Sequence, residues 1–177
     1  MMDMFKEEVV VSRNPLPRNI LYGICWILLV MFALYGFMMI QVVMFAFDLF
    51  ALVAAVLAVI CAVLLFFVKD NLKAEYEYAF TNGILDFAKV LRNTRRKELG
   101  NMNVANVKAC GHVAHESFRR FLAMKDVKKR NWFLNRDGNL FYFYYVKDNQ
   151  KHMIIIEPSE DMVNMIRTYL PVGVYQG

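Results

Sequence analysis

Cys110, His112 and His115 are the clustered soft ligands of this chain, with His152 placed to arrive from a distant strand. Thiolate and imidazole at Cys-x-His-x-x-His spacing could hold zinc or iron if the backbone turned all three toward one point. The spacing straddles a strand-to-helix junction, which guarantees no such convergence, so packing and surface roles are expected and His115 reads as a helix cap. No metal and no cofactor is assigned. Nucleophilic catalysis needs a Ser, Cys or Thr beside an oriented base. The serines are Ser12, Ser117 and Ser159, and Ser159 is better explained as a helix cap. Glu75 and Glu77 alternate outward on a strand, where a solvated face is the usual role. There is no P-loop and no G-x-G-x-x-G. A non-enzymatic chain is expected, and a metal-dependent enzyme using Cys110, His112 and His115 is the remote alternative.

Two basic sets carry more information: Arg92, Arg95, Arg96 and Lys97, then Lys125, Lys128, Lys129 and Arg130. Formal net charge is +5, and the region from Lys69 onward holds eighteen of the 21 Lys and Arg against twelve of the 16 Asp and Glu. Beside a bilayer, each Lys or Arg near the surface gains about 1 kcal/mol from anionic headgroups. Arg92, Arg95, Arg96, Lys97, Lys128, Lys129 and Arg130 are therefore the expected contacts to headgroups or a partner, with a solvated face as the alternative. Nucleic acid is not expected as the ligand.

These residues need elements to hold them, and hydropathy divides the chain sharply. Hydrophobic residues make up 58% of the 177, above the ~45–50% of ordinary soluble domains. From Ile20 to Phe47 the one strongly polar side chain is Gln41, and from Leu49 to Val68 there is none. About 20 apolar residues cross a bilayer core, so two spans are expected, Ile20–Ile40 and Leu49–Val68, as an antiparallel hairpin over 20–68. Asp48 stands as N-cap of the second. A cleaved signal peptide would have a shorter apolar core and a small-residue cleavage site.

Arg13 and Arg18 precede the first span, Lys69 and Lys73 follow the second, and the link between spans has neither Lys nor Arg. The positive-inside rule then places both termini in the cytoplasm. Ala54, Ala58 and Ala62, with Ala51 and Ala55 beside them, form a small-residue strip suited to close helix–helix approach. The segment 1–19 is expected as a cytoplasmic lead. Within it Met1–Ser12 reads as a short helix with Met2, Phe5 and Val9 on one face, ended by Asn14-Pro15-Leu16-Pro17. That helix has two open placements, flat on the inner leaflet or against the soluble domain.

After Lys73 the pattern alternates. Tyr76, Tyr78 and Phe80 share a face, Asn82-Gly83 makes a type I′ turn, and Ile84–Leu91 returns as a hairpin. Further strands are expected at Arg95–Leu99, Val104–Cys110, Lys128–Leu134, Leu140–Val146 and Met153–Ile156, with a short helix over His115–Met124. Aromatics on both faces of Leu140–Tyr145 are expected to be covered by that helix. Ser159 caps a final helix running to Pro171, with Glu160 and Asp161 complementing its N-terminal dipole.

Seven antiparallel strands and one helix make an α+β domain over 74–171, a PH-like sandwich or barrel. The run Ala74-Glu75-Tyr76-Glu77-Tyr78-Ala79-Phe80-Thr81-Asn82-Gly83-Ile84-Leu85-Asp86-Phe87 after two spans resembles the opening hairpin of bacterial PH-like domains in small membrane proteins. The Met-Asp-Met-Phe start at Met2 and the basic Arg95-Arg96-Lys97 are similar to that group. The resemblance implies fold and layout and no activity. The expected function is a membrane-anchored interaction or scaffolding module at the cytoplasmic leaflet, with anionic lipid, an unknown protein partner or a second copy as its contacts. An accessory subunit of a transporter or secretion complex is the alternative.

Overall fold

The computed structural model describes residues 4–92 and 94–176. It contains two compact units, one of residues 14–74 and one that joins residues 1–13 to 75–177.

The first unit is a pair of helices, α1 (Pro15–Ala46) and α2 (Leu49–Asn71). Proline in the first turn suits α1, because that turn's N–H groups have no helical partner. Phe47, left-handed at φ 41°, ends α1, and Asp48 caps α2 by accepting from the Phe50 N–H at 3.0 Å. The link is thus two residues rather than the expected Gln41–Asp48 stretch. At 1.5 Å per residue the helices run about 48 and 35 Å. Both are long and apolar enough to cross a membrane. Close approach is set by Gly36, where a Cβ would stand 3.4 Å from the Cβ of Ala58. On α2, Ala51, Ala55 and Ala58 are buried, while Ala54 and Ala62 are half-buried at the margin of that strip. Most other side chains on both helices are exposed apolar groups, Phe45 and Phe50 among them.

One end of this pair is ringed by aromatics and cations. Lys69 Nζ donates to the Phe66 carbonyl and to Asp70 at 3.1 Å each, and lies 3.9 Å from the Phe66 ring and 5.1 Å from that of Trp26. Lys73 sits 4.3 Å over Tyr22.

The second unit is two four-stranded sheets and two short helices. Its first sheet has the order β1 (Phe5–Val10), β2 (Ala74–Thr81), β3 (Ile84–Leu91), β4 (Arg95–Asn103). The second has the order β5 (Val107–His112), β7 (Phe141–Lys147), β8 (Gln150–Ile156), β6 (Val127–Trp132). Asn82 and Gly83, both at positive φ, form the β2–β3 turn, and Asp148 and Asn149 do the same for β7–β8. Inward residues of both sheets, Tyr78, Phe80, Leu85, Phe87, Phe143 and Ile154, make the main core, closed by Met162, Val163 and Ile166 of α4 (Glu160–Arg167). On the outer face of the second sheet, Tyr142 and Tyr144 lie under Phe118 and Phe121 of α3 (Glu116–Leu122).

Three expectations are corrected. The segment read as a helix over Met1–Ser12 is strand β1, antiparallel to β2 from Phe5↔Thr81 to Val10↔Tyr76; Met2 lies outside the described residues. Its Phe5 and Val9 are exposed, and Lys6, Glu8 and Val10 turn inward instead. The edge of the β2–β3 hairpin and the start of α4 supply partners that local periodicity does not register. The sheets are not wholly antiparallel either, since β6 runs parallel to β8. The tight turn makes β7 and β8 neighbours and β5 takes the other edge of β7, so β6 adds on the remaining edge of β8, running in the opposite sense to β7. Finally, β4 does not stop at Leu99 but passes Gly100 through a bulge opposite Phe87 and Ala88. A bulge absorbs one extra residue without ending the ladder.

Candidate functional site

The soft ligands go to separate places. Cys110 is fully buried, with Sγ 3.9 Å from the Val174 carbonyl, and burial pushes its thiol up to about 12. His112 Nδ1 bonds Asn139 Oδ1 at 2.8 Å. His115 is the N-cap of α3, its Nδ1 accepting from the Ser117 N–H at 3.3 Å. His152 stacks on Tyr145. Among the described residues no three of His, Cys, Asp and Glu gather to hold a metal ion. Ser159 caps α4 by accepting from Met162 N at 3.2 Å, and its hydroxyl and N–H both meet the Glu8 carboxylate. A carboxylate at a helix N-terminus answers the dipole and the unpaired N–H groups together. Ser117 bonds Tyr142 at 3.0 Å. Cys110, His112, His115, Ser117 and Ser159 are thus each engaged by a neighbouring strand, helix or loop.

The basic residues fall on two sheets. Arg92, at φ 53°, lies in the β3–β4 turn, and Arg95, Arg96 and Lys97 stand exposed on edge strand β4. Arg96 Nε lies 3.1 Å from Glu77 Oε2 across the sheet. Lys89 lies opposite Lys97 in the ladder, and burial together with that neighbour lowers its pKa. Of the second set, Lys125 stands exposed in the turn before β6 and Lys128, Lys129 and Arg130 lie on β6, the edge of the other sheet, where strand alternation splits them. Lys129 turns to the α3 side and donates to the Leu122 carbonyl at 2.9 Å. Lys128 and Arg130 take the opposite side, and Arg130 lies 5.6 Å over the ring of Trp132. Charged edges of this kind also keep a strand from pairing with another chain.

A polar cluster that sequence reading did not single out lies where the chain is about to start α1. Asn135 Nδ2 donates to both oxygens of the Glu157 carboxylate at 2.9 and 3.0 Å and to the Val11 carbonyl at 3.0 Å. Its backbone N–H reaches Glu157 Oε2 at 3.1 Å, and its Oδ1 accepts from the Arg13 N–H at 2.8 Å. Arg13 adds a guanidinium 3.5 Å from Glu157. Both Asn135 and Glu157 are buried. Gly138 is required here, because a Cβ would fall 2.4 Å from Glu157 Oε1. A cavity of about 440 Å³ opens beside the cluster, lined by Glu8, Val10, Arg13, Asn139 and Ser159 among others. The cluster ties residues 11–13 to two loops of the far sheet. The one signal available in the sequence was an Asn-Arg-Asp-Gly-Asn loop facing a Glu-Pro pair, which reads equally as two turns.

A family model described as Bacterial PH-like domain (DUF6106) matches residues 2–176. No curated protein and no solved structure matches the chain.

Proposed function

Because the chain belongs to the family of bacterial PH-like domains, we propose that it is a non-enzymatic interaction module held at a membrane by its two long helices. The observation that carries this reading is where those helices stand in the chain. They are the connection between β1 and β2, neighbouring strands of one sheet. Both flanks of the hairpin therefore lie on one side of any bilayer it crosses. Charge chooses that side: Arg13, Arg18, Lys69 and Lys73 flank the pair and the Phe47-Asp48 link has no cation, so the sheets face the cytoplasm. Tyr22 and Trp26 beside Lys69 and Lys73 match the aromatic and cationic belt of a membrane interface. The outward apolar side chains of α1 and α2 would otherwise face water at ~25 cal/mol per Å². Arg92, Arg95, Arg96 and Lys97 then contact anionic headgroups or a protein partner, and the alanine strip of α2, including Ala54, Ala58 and Ala62, packs helices.

The test is cysteine labelling of the full chain in cells. With the three native cysteines replaced by alanine, Ser12→Cys and Val172→Cys, the latter at a fully exposed position, are expected to react with an impermeant maleimide only after permeabilisation. Labelling of either in intact cells, or release of the chain by alkaline carbonate, overturns the proposal. In anionic nanodiscs, reversing Arg95, Arg96 and Lys97 to Glu is expected to raise cleavage around β4 by proteinase K, which needs no basic residue at its cut site. Unchanged cleavage removes the headgroup contact and leaves the partner role.

A further inference from the structure

At the end of the second sheet where β7 turns into β8, the inner face changes character. Lys128 stands opposite His152 in the β6–β8 ladder, and His152 opposite Tyr145 in the β8–β7 ladder. The two-residue period of a strand puts Arg130 and Lys147 on that same side. Toward the middle of the sheet this face carries Trp132, Ile154 and Phe143 in the core. At its end it carries three cations around an imidazole.

The imidazole is unusual. His152 is 9% exposed, stacked on Tyr145 with ring centroids 5.2 Å apart and planes 14° from parallel. Its Nδ1 is buried and has no hydrogen-bond partner among the described residues. Burial, then Arg130, Lys128 and Lys147, lower its pKa, with Asp148 opposing them. None of Lys128, Arg130 and Lys147 has a carboxylate within 4.0 Å among the described residues. Gathering like charges costs energy unless an opposite charge joins them, and a buried polar atom without a partner calls for one. A cavity of about 410 Å³ reaches the β7 end of this face, lined by Tyr145 and Lys147 with Lys108 and Asn103, and one of about 540 Å³ reaches its β6 end, lined by Lys128 with Asp126 and Asn149.

We propose that this face binds a phosphate-type dianion, held by Lys128, Arg130 and Lys147 over the Tyr145–His152 stack. A guanidinium fork and ammonium groups are the side chains that pair with phosphate oxygens. Lys129, turned to the other side of β6, is not part of the site. The proposal does not depend on the membrane reading, because the phosphate is either a lipid headgroup or a soluble ester.

The full chain in detergent, labelled with ¹³C in its three histidines, reports the site directly. Inorganic phosphate at constant ionic strength is expected to shift the His152 ring signal saturably and raise its titration midpoint, leaving His112 and His115 unmoved. K128Q/K147Q is expected to weaken that response about tenfold or more, the order for losing two charges at a partly screened surface. K147Q alone is a milder variant, and unchanged His112 and His115 signals verify its fold. R119Q, on α3 at the other face of the sheet, is expected to bind as the parent chain does, which separates this site from positive charge elsewhere on the domain. A response to nanodiscs of phosphatidic acid stronger than to free phosphate makes the ligand a headgroup, and the reverse makes it a soluble ester; either supports the site. No His152 response to both, a response that chloride reproduces, or one that survives K128Q/K147Q overturns it.

Discussion

Asn135→Ala cuts the cluster that ties residues 11–13 to the sheets, and its cost can be worked from the contacts. The side chain donates to both Glu157 oxygens and to Val11, and accepts from Arg13 N–H. After truncation the buried carboxylate keeps the Asn135 backbone N–H at 3.1 Å and a guanidinium at 3.5 Å whose own side chain is 59% exposed. Hydrogen bonds to a charged group contribute about 1.5–3 kcal/mol each, while the partly exposed backbone groups can turn to water. The loss is about 3 kcal/mol, or about 100-fold in the equilibrium for opening this segment, at 1.4 kcal/mol per factor of ten. Amide hydrogen exchange of the full chain reads that equilibrium locally. Exchange at Val9–Arg13 is expected to quicken by about that factor, while amides of β7 and β8 keep their protection. Asn135→Asp, which sets a second carboxylate against Glu157, is expected to act in the same direction and more strongly. Exchange at Val9–Arg13 within about threefold of the parent in both variants would falsify the reading, since a contact worth 1 kcal/mol or more exceeds that factor.

Two further outcomes follow from particular residues. Burial holds the Cys110 thiol protonated up to about 12 against an ordinary 9, and raises Tyr78 as well. Above pH 9 the unfolded chain therefore sheds protons that the folded chain keeps. Stability is expected to be full below that pH and to fall by about 1.4 kcal/mol per pH unit for Cys110 alone. Urea unfolding followed by near-ultraviolet dichroism measures the slope, and a Cys110→Ala chain with an identical slope refutes the assignment. Gly83 sits at φ +91°, and a Cβ there would lie 2.9 Å from Cδ1 of Tyr169. Gly83→Ala is expected to cost about 1–3 kcal/mol and to lower the melting temperature by several degrees. A melting temperature within about one degree of the parent would show the turn and Tyr169 to be free to adjust.

Much of the fold was legible because the signals were local. Asn82-Gly83 demanded a hairpin, Ser159 with Glu160 and Asp161 started a helix, and Asp48 capped α2, each through interactions within a few residues. The cover over Tyr142 and Tyr144 was legible too, since aromatics on both faces of a strand need a second layer. The parallel placement of β6 was not, because it depends on which strand claims the neighbouring edge of β8. The grouping of Lys128, Arg130 and Lys147 around His152 was hidden for a related reason: register across three strands decides which side chains meet, and one residue of slip reverses every face. Charge runs in the sequence joined Lys129 to Lys128 and Arg130, and strand alternation separates them.

The long apolar stretch broken at Asp48 determined by itself that the chain has two helices of membrane-crossing length, since composition over 20 residues outweighs any local detail. Alternation and turn residues likewise determined seven of the eight strands and the final helix. Only the tertiary structure decided the role of residues 5–13. Phe5 and Val9 at helical spacing suit a helix in isolation, and the ladder to β2, the Glu8 bond to the start of α4 and the Asn135–Glu157 cluster make them a strand. Those partners lie 66 or more residues away along the chain, so the free energy that settles the conformation belongs to contacts no window of sequence contains.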